Sequence, residues 1–175
     1  VDRLIQQGAA EAVDENLELA DLAARLDGNA RAVLFRDVGP EGAAVTGNVM
    51  GSRARLAAAF GVGEAELLGE VLARLDRPQP CIEVAASAAP VQQVVWRGDE
   101  ADLTRLPVPF QHGNDGAPYF SAAIDFTVNP ETGLANVGCR RLMLRGRRET
   151  GIDLVTPSDL KNIYEAAAAR GERLP

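Results

Sequence analysis

Residues 119–144, YFSAAIDFTVNPETGLANVGCRRLML, decide the fold of this chain. Tyr119 to Val128 alternates in the manner of a strand. Asn129-Pro130-Glu131-Thr132-Gly133 is turn chemistry ending in glycine, and Ala135 to Leu144 reads as the returning strand of a hairpin. Thr156-Pro157-Ser158-Asp159 then opens a helix that runs to about Arg170, with Thr156 suited to the N-cap and Pro157 to the first helical position. That register puts Asp159 at the third helical position. One hairpin and one helix cannot bury both faces of a sheet or close its edges. The expectation is therefore that residues beyond Pro175 complete this unit.

Upstream, Asp99 to Gly116 carries Pro107, Pro109, Gly113 and Gly116 with few periodic apolar residues, and reads as a linker. Before it lies an α/β unit. Residues 16–26 (NLELADLAARL) place Leu19, Leu22, Ala23 and Leu26 on one helical face, with Asp14 as N-cap and Gly28-Asn29 as the stop. Ala32 to Val38 reads as a buried strand, Gly39 to Gly42 as a turn, and Ala43 to Val49 as a second strand. Ser52 caps a helix over Arg53 to Phe60, a further helix spans Glu64 to Leu75, and Val91 to Trp96 reads as a short strand. The fold class is α/β (α+β), with one unit over residues 1–100 and a second beginning at 101–175.

Of the 175 residues, 46% are apolar and 25% charged, enough to build a core and too few charges for disorder. The net charge of −7 argues against nucleic acid or an anionic membrane as partner, because both need basic surfaces. No apolar run approaches the roughly 20 residues of a membrane helix. A single lysine, Lys161, stands against 17 arginines, a coding bias more than a function. Cys81 and Cys139 are far apart and do not suggest a secreted disulfide scaffold, so a reducing cytoplasm is expected.

Nucleophile-elbow, Walker, CxxC, HExxH and GxGxxG signatures are absent. The only histidine, His112, sits in the linker, where a lone histidine reads as surface. The informative set is Asn136 to Arg141 followed by Ser158-Asp159. An Asn amide oxygen and an Asp carboxylate are hard ligands suited to Mg²⁺ or Mn²⁺. A helix N-terminus attracts phosphate. An arginine can hold a carboxylate by two parallel hydrogen bonds. The local alternatives are plain ones: Asn136 ends a hairpin loop, Arg140 and Arg141 are solvated, and Asp159 faces the positive end of its helix. Asn136 and Arg141 are five apart, so a regular strand sends them to opposite faces. Gly138 between them permits a bulge that re-aims one of them.

The chain resembles the UbiD-like decarboxylases over nearly its whole length. The resemblance rests on Asn48-Val49-Met50-Gly51-Ser52-Arg53, on Asp102-Leu103 with Leu106-Pro107-Val108-Pro109, on Gly116 to Tyr119 with the NPETG hairpin and Asn136 to Arg141, and on Gly171-Glu172-Arg173-Leu174-Pro175. It implies an N-terminal α/β domain followed by the start of a flavin-binding split β-barrel. It also implies non-oxidative, sometimes reversible, decarboxylation of aromatic, heteroaromatic or α,β-unsaturated acids. The implied cofactors are prenylated flavin mononucleotide (prenylated FMN), Mn²⁺ (or Mg²⁺) and K⁺. A flavin prenyltransferase is implied as cofactor supplier, and a homodimer or homohexamer as the assembly.

Residue by residue, the resemblance gives Asn136 as a metal-binding residue and the Val137 carbonyl as a K⁺ contact. Gly138, Cys139 and Arg140 fall on the stretch along the flavin, and Arg141 on the arginine of a catalytic Arg–Glu network. Ser158 and Asp159 fall on a pair that contacts the flavin and its phosphate–metal group. Some members have His at the position of Asp159. The acidic catalytic residues are expected beyond Pro175. The competing reading is a non-catalytic flavin-binding subunit or module of a multi-subunit carboxylase.

Overall fold

The structure, a computed structural model, describes residues 1–174; the Pro175 that closes the Gly171–Pro175 segment lies outside the described residues. It is an α+β arrangement of two three-stranded sheets. In the first, β1 (Ala10–Val13) runs parallel to β2 (Ala32–Val38), and β3 (Ala43–Gly47) returns antiparallel to β2. The β1–β2 connection contains α2 (Leu22–Leu26), and α1 (Asp2–Gln6) precedes β1. β2 is the central strand, and its apolar run Ala32–Phe35 fits that place: Val33, Phe35 and Val38 are fully buried and cluster with Leu17 and Leu22.

Two sequence expectations are corrected here. The helix foreseen over 16–26 forms only over Leu22–Leu26, and its N-cap is Asp21. Leu17 instead makes a parallel bridge with Val38: its N–H donates to the Asp37 carbonyl at 3.1 Å, and its own carbonyl accepts from Gly39 N–H at 2.8 Å. Burying Leu17 at the edge of the sheet outweighs the helical spacing. Val91 to Trp96 is not a strand; Pro90–Gln92 forms a 3₁₀ turn and these residues pair with no sheet among the described residues. The short β1 had no expectation attached to it.

The Asn48–Arg53 segment is a structural knot. Asn48 adopts a left-handed φ of 53°, and its side-chain amide donates to the carbonyls of Leu26 and Asn29, both at 3.0 Å. The Arg55 guanidinium donates to the carbonyls of Asn48, Val49 and Ala30. Ser52 caps α3 (Arg53–Phe60), as its sequence position suggests, by accepting from Arg55 N–H, and Gly61 ends that helix at φ 75°. α4 (Leu67–Leu75) follows.

The linker is tied to the second sheet by Asp102. Its carboxylate accepts from Thr104 N–H and from Arg147 Nε at 2.9 Å, while Leu103 N–H donates to the Arg147 carbonyl. The Thr104 hydroxyl, aided by the Thr104 N–H and Arg147, holds the Asp102 carboxyl below its ordinary range. The second sheet is antiparallel: β4 (Tyr119–Val128), β5 (Ala135–Gly146) and β6 (Glu149–Gly151). The β4–β5 loop closes through Asn129, whose side-chain oxygen accepts from Glu131 N–H and whose carbonyl accepts from Gly133 N–H. Gly133 takes the left-handed φ of 71° that this closure requires.

α5 (Asp159–Ala169) buries Leu160, Ile163 and Ala167 on one face. Its N-cap is Ser158, whose hydroxyl accepts from Lys161 N–H, so Asp159 is the first helical residue. The sequence expectation had Thr156 as cap and Asp159 two places further in. Ser158, extended at φ −158°, supplies the cap instead, and Pro157 falls outside the helix.

Candidate functional site

The hairpin loop places Val128 opposite Ala135, and that register puts Thr127 opposite Asn136, Asp125 opposite Gly138 and Ala123 opposite Arg140. Residues directly opposite share a face. Asn136, Gly138, Arg140, Asp125 and Thr127 therefore occupy one face of the β4–β5 pair, the more covered one. Val137 and Cys139 lie on the other face with Phe126 and Ile124, all exposed, and Cys139 is a free thiol.

The register shifts between Phe120 and Ala123. Two residues of β4, Ser121 and Ala122, oppose the single residue Arg141 of β5. The irregularity thus lies on β4 beside Arg141, not at Gly138, which pairs regularly with Asp125; β5 itself alternates without a break from Asn136 to Arg141, so the two stay on opposite faces and the expected re-aiming bulge is absent. Gly138 has a different reason to be glycine. A β-carbon there would sit 2.8 Å from Asp125 Oδ1 and 3.1 Å from Arg140 Nη2, because the Asp125–Arg140 pair crosses directly over it. Arg140 Nε lies 3.0 Å from Asp125 Oδ1.

Two clefts meet at the start of α5. One, of about 420 Å³, is lined by Asn136 and Asp159 with Asn162, Ile163 and Arg170 of the helix and the Asn129–Leu134 loop. The other, of about 850 Å³, is lined by Cys139, Arg140, Arg141, Tyr119 and Ser158. Ser158 and Asp159 are adjacent, so the N-terminus of α5 stands between the two. The structure thus brings Asn136 together with Asp159, and Arg141 together with Ser158, on either side of one helix end. Arg141 is held at its end of the strand by its guanidinium over the Tyr119 ring, 5.4 Å from the centroid, and by a 3.3 Å hydrogen bond to Gln111 Oε1.

The donor set can be tested against a phosphate–metal group. Asn136 Nδ2 is buried and without a hydrogen-bond partner among the described residues. The two ends of an amide are interchangeable by a flip, so this position can present oxygen to a cation. Asn136 and Asp159 would offer two oxygen donors near a helix N-terminus, few enough that a phosphate would have to supply more for a Mg²⁺-like ion. No group of three His, Cys, Asp or Glu side chains that could hold a metal by itself is found among the described residues. The residues present fit a cation shared with a ligand phosphate, and do not fit a cage built wholly from these residues.

Residues that sequence reading passed over are Asp125, Tyr119 and Gln111. Asp125 had a signal: it is the one charge inside an alternating apolar strand, between Ile124 and Phe126. Pairing it with Gly138 needed only the register that the NPETG loop fixes. Gln111 and Tyr119 had none, since the first contact with Arg141 depends on how the linker folds back and the second on the register shift in β4. His112 is exposed, with Nδ1 3.7 Å from Asp115 Oδ1, and borders a third, apolar cleft of about 1180 Å³ beneath the linker, away from the Asn136–Asp159 pair.

Residues 82–175 match the family described as 3-octaprenyl-4-hydroxybenzoate carboxy-lyase Rift-related domain, and residues 9–75 match that family's N-terminal domain. The chain belongs to the UbiD family. It is similar to the anhydromevalonate phosphate decarboxylase of Methanosarcina mazei, 35% identical over 82% of this chain and 32% of that protein. It is likewise similar to the pyrrole-2-carboxylic acid decarboxylase of Pseudomonas aeruginosa, 36% identical over 69% of this chain and 28% of that protein. Among solved structures, the UbiD-class enzyme HmfF of Pelotomaculum thermopropionicum in complex with FMN superposes with a TM-score of 0.88 at 30% identity, covering 99% of this chain and 39% of that one. An evolved dimeric form of HmfF was solved with prenylated FMN. The chain spans about a third of the length of the curated relatives it matches.

Proposed function

We propose that this chain supplies the phosphate–metal anchor and the substrate-carboxylate arginine of a prenylated-FMN-dependent decarboxylase. The observation that carries the reading is the convergence of Asn136 and Asp159 on one cleft at the N-terminus of α5, with Arg141 on the adjoining cleft. Asn136 and Asp159 would hold Mn²⁺ (or Mg²⁺) together with the flavin phosphate, and the free N–H groups at the start of α5 add a field that favours the phosphate. The Val137 carbonyl is the proposed K⁺ contact. Gly138, Cys139 and Arg140 would run beside the flavin, and Ser158 would contact it.

The prenylated flavin, when bound, supplies the covalent partner and electron sink for loss of CO2. The protein's own part is orientation. Arg141, already pinned by Tyr119 and Gln111, can offer two parallel N–H groups to a carboxylate and keep it ionised until CO2 leaves. Acidic partners for Arg141 would come from residues beyond this chain. The substrate class is an aromatic, heteroaromatic or α,β-unsaturated acid, a reading supported by the named activities of the relatives. A homo-oligomer, supply of the cofactor by a flavin prenyltransferase and a cytoplasmic setting belong to the same proposal. No helix among the described residues is long and apolar enough to cross a membrane.

The test is to co-produce the complete protein with a flavin prenyltransferase, measure flavin and Mn²⁺ content, and screen such acids for CO2 release. Stoichiometric flavin with Mn²⁺, and release from at least one acid, is the expected result. Protein that carries neither flavin nor metal would overturn the reading.

A further inference from the structure

Three polar side chains stand together on the covered face of β4–β5: Asp125, Arg140 and Asn136. Asp125 and Arg140 are each about four-fifths covered, with side-chain exposures of 20% and 22%. They lie at ion-pair distance, yet the Arg140 Nε–H does not point at the oxygen. Arg140 Nε, both Asp125 carboxylate oxygens and Asn136 Nδ2 are all buried atoms with no hydrogen-bond partner among the described residues. Removing a charged pair from water is costly unless its remaining lone pairs and protons are satisfied, so an unsatisfied cluster of this kind needs a reason. A cross-strand pair serving stability alone has no need to crowd Gly138. The next residues along the face are those expected to hold a phosphate.

We infer that Asp125 is a positioning residue for the flavin site. It acts through Arg140, holding the guanidinium over Gly138 at the wall of the cleft that Arg140 shares with Arg141 and Ser158. The inference rests on the flavin reading and assigns the residue that fixes Arg140 at that site. Asp125 itself carries out no chemical step.

FMN is the probe, titrated into the complete protein with Mn²⁺ present and read by quenching of flavin fluorescence. Asp125→Asn keeps the size and removes the charge. It should weaken FMN binding about tenfold at a temperature where the protein is fully folded, as should Arg140→Gln, whatever the loss in Tm from leaving one charge unpaired. The double variant should be no weaker than either single one, because both act through one pair. If Asp125→Asn does not fold, Asp125→Glu keeps the charge and should weaken FMN binding several-fold. Variants that bind FMN as tightly as the parent, or that lower only the Tm, or whose effects on FMN add, overturn the inference while leaving the flavin reading in place. A parent protein that takes up no FMN sinks both.

Discussion

Gly138 and Arg141 have separate reasons for their identities. At Gly138 the space for a β-carbon is taken by the Asp125–Arg140 pair, so Gly138→Ala should destabilise the protein by about 1–3 kcal/mol in a denaturant titration. In an Asp125→Ala, Arg140→Ala background the same change should cost far less, since the atoms at 2.8, 3.1 and 3.2 Å are gone. Equal costs in the two backgrounds would show that the crowding is not the cause. The glycine was legible in the sequence as a special position, but its reason was not, because the reason is a side chain from another strand. Asp159 is a simpler case. Its removal in Asp159→Ala should lower Mn²⁺-dependent flavin retention; unchanged flavin and metal content would return it to a plain favourable charge at a helix start.

At the scale of elements, the hairpin and α3 were legible because their signals are local: turn chemistry at Asn129–Gly133 and a serine directly before Arg53. The bulge on β4 was not, because the two-against-one fit of Ser121-Ala122 to Arg141 depends on the partner strand. The helix foreseen over 16–26 failed for a related reason: Leu17 is worth more bridging Val38 than completing an amphipathic face. α5 was foreseen with its cap two residues early. Ser158→Ala should therefore cost about 1 kcal/mol of stability in thermal unfolding, whereas Thr156→Ala should cost little. The reverse order would restore Thr156 as the cap.

For the whole molecule, the two sheets play different parts. The first holds the tightest core, and Phe35, fully buried at its centre, anchors it; Phe35→Ala should cost about 3–5 kcal/mol. Thermal unfolding of that variant at the parent's Tm would contradict the assignment. The second sheet carries every residue of strand β5 that the family resemblance singled out, and α5 brings Asp159 to it. What neither the sequence nor the fold of these residues supplies is an acidic partner for Arg141. The central claim, that this chain carries the substrate-binding arginine and not merely a flavin cradle, turns on one comparison. In the complete, flavin-loaded protein, CO2 release by Arg141→Ala is measured against the parent at equal flavin content. The account predicts turnover below about a hundredth of the parent's with flavin retained. Near-parental turnover at full flavin content would remove Arg141 from the reaction and contradict it.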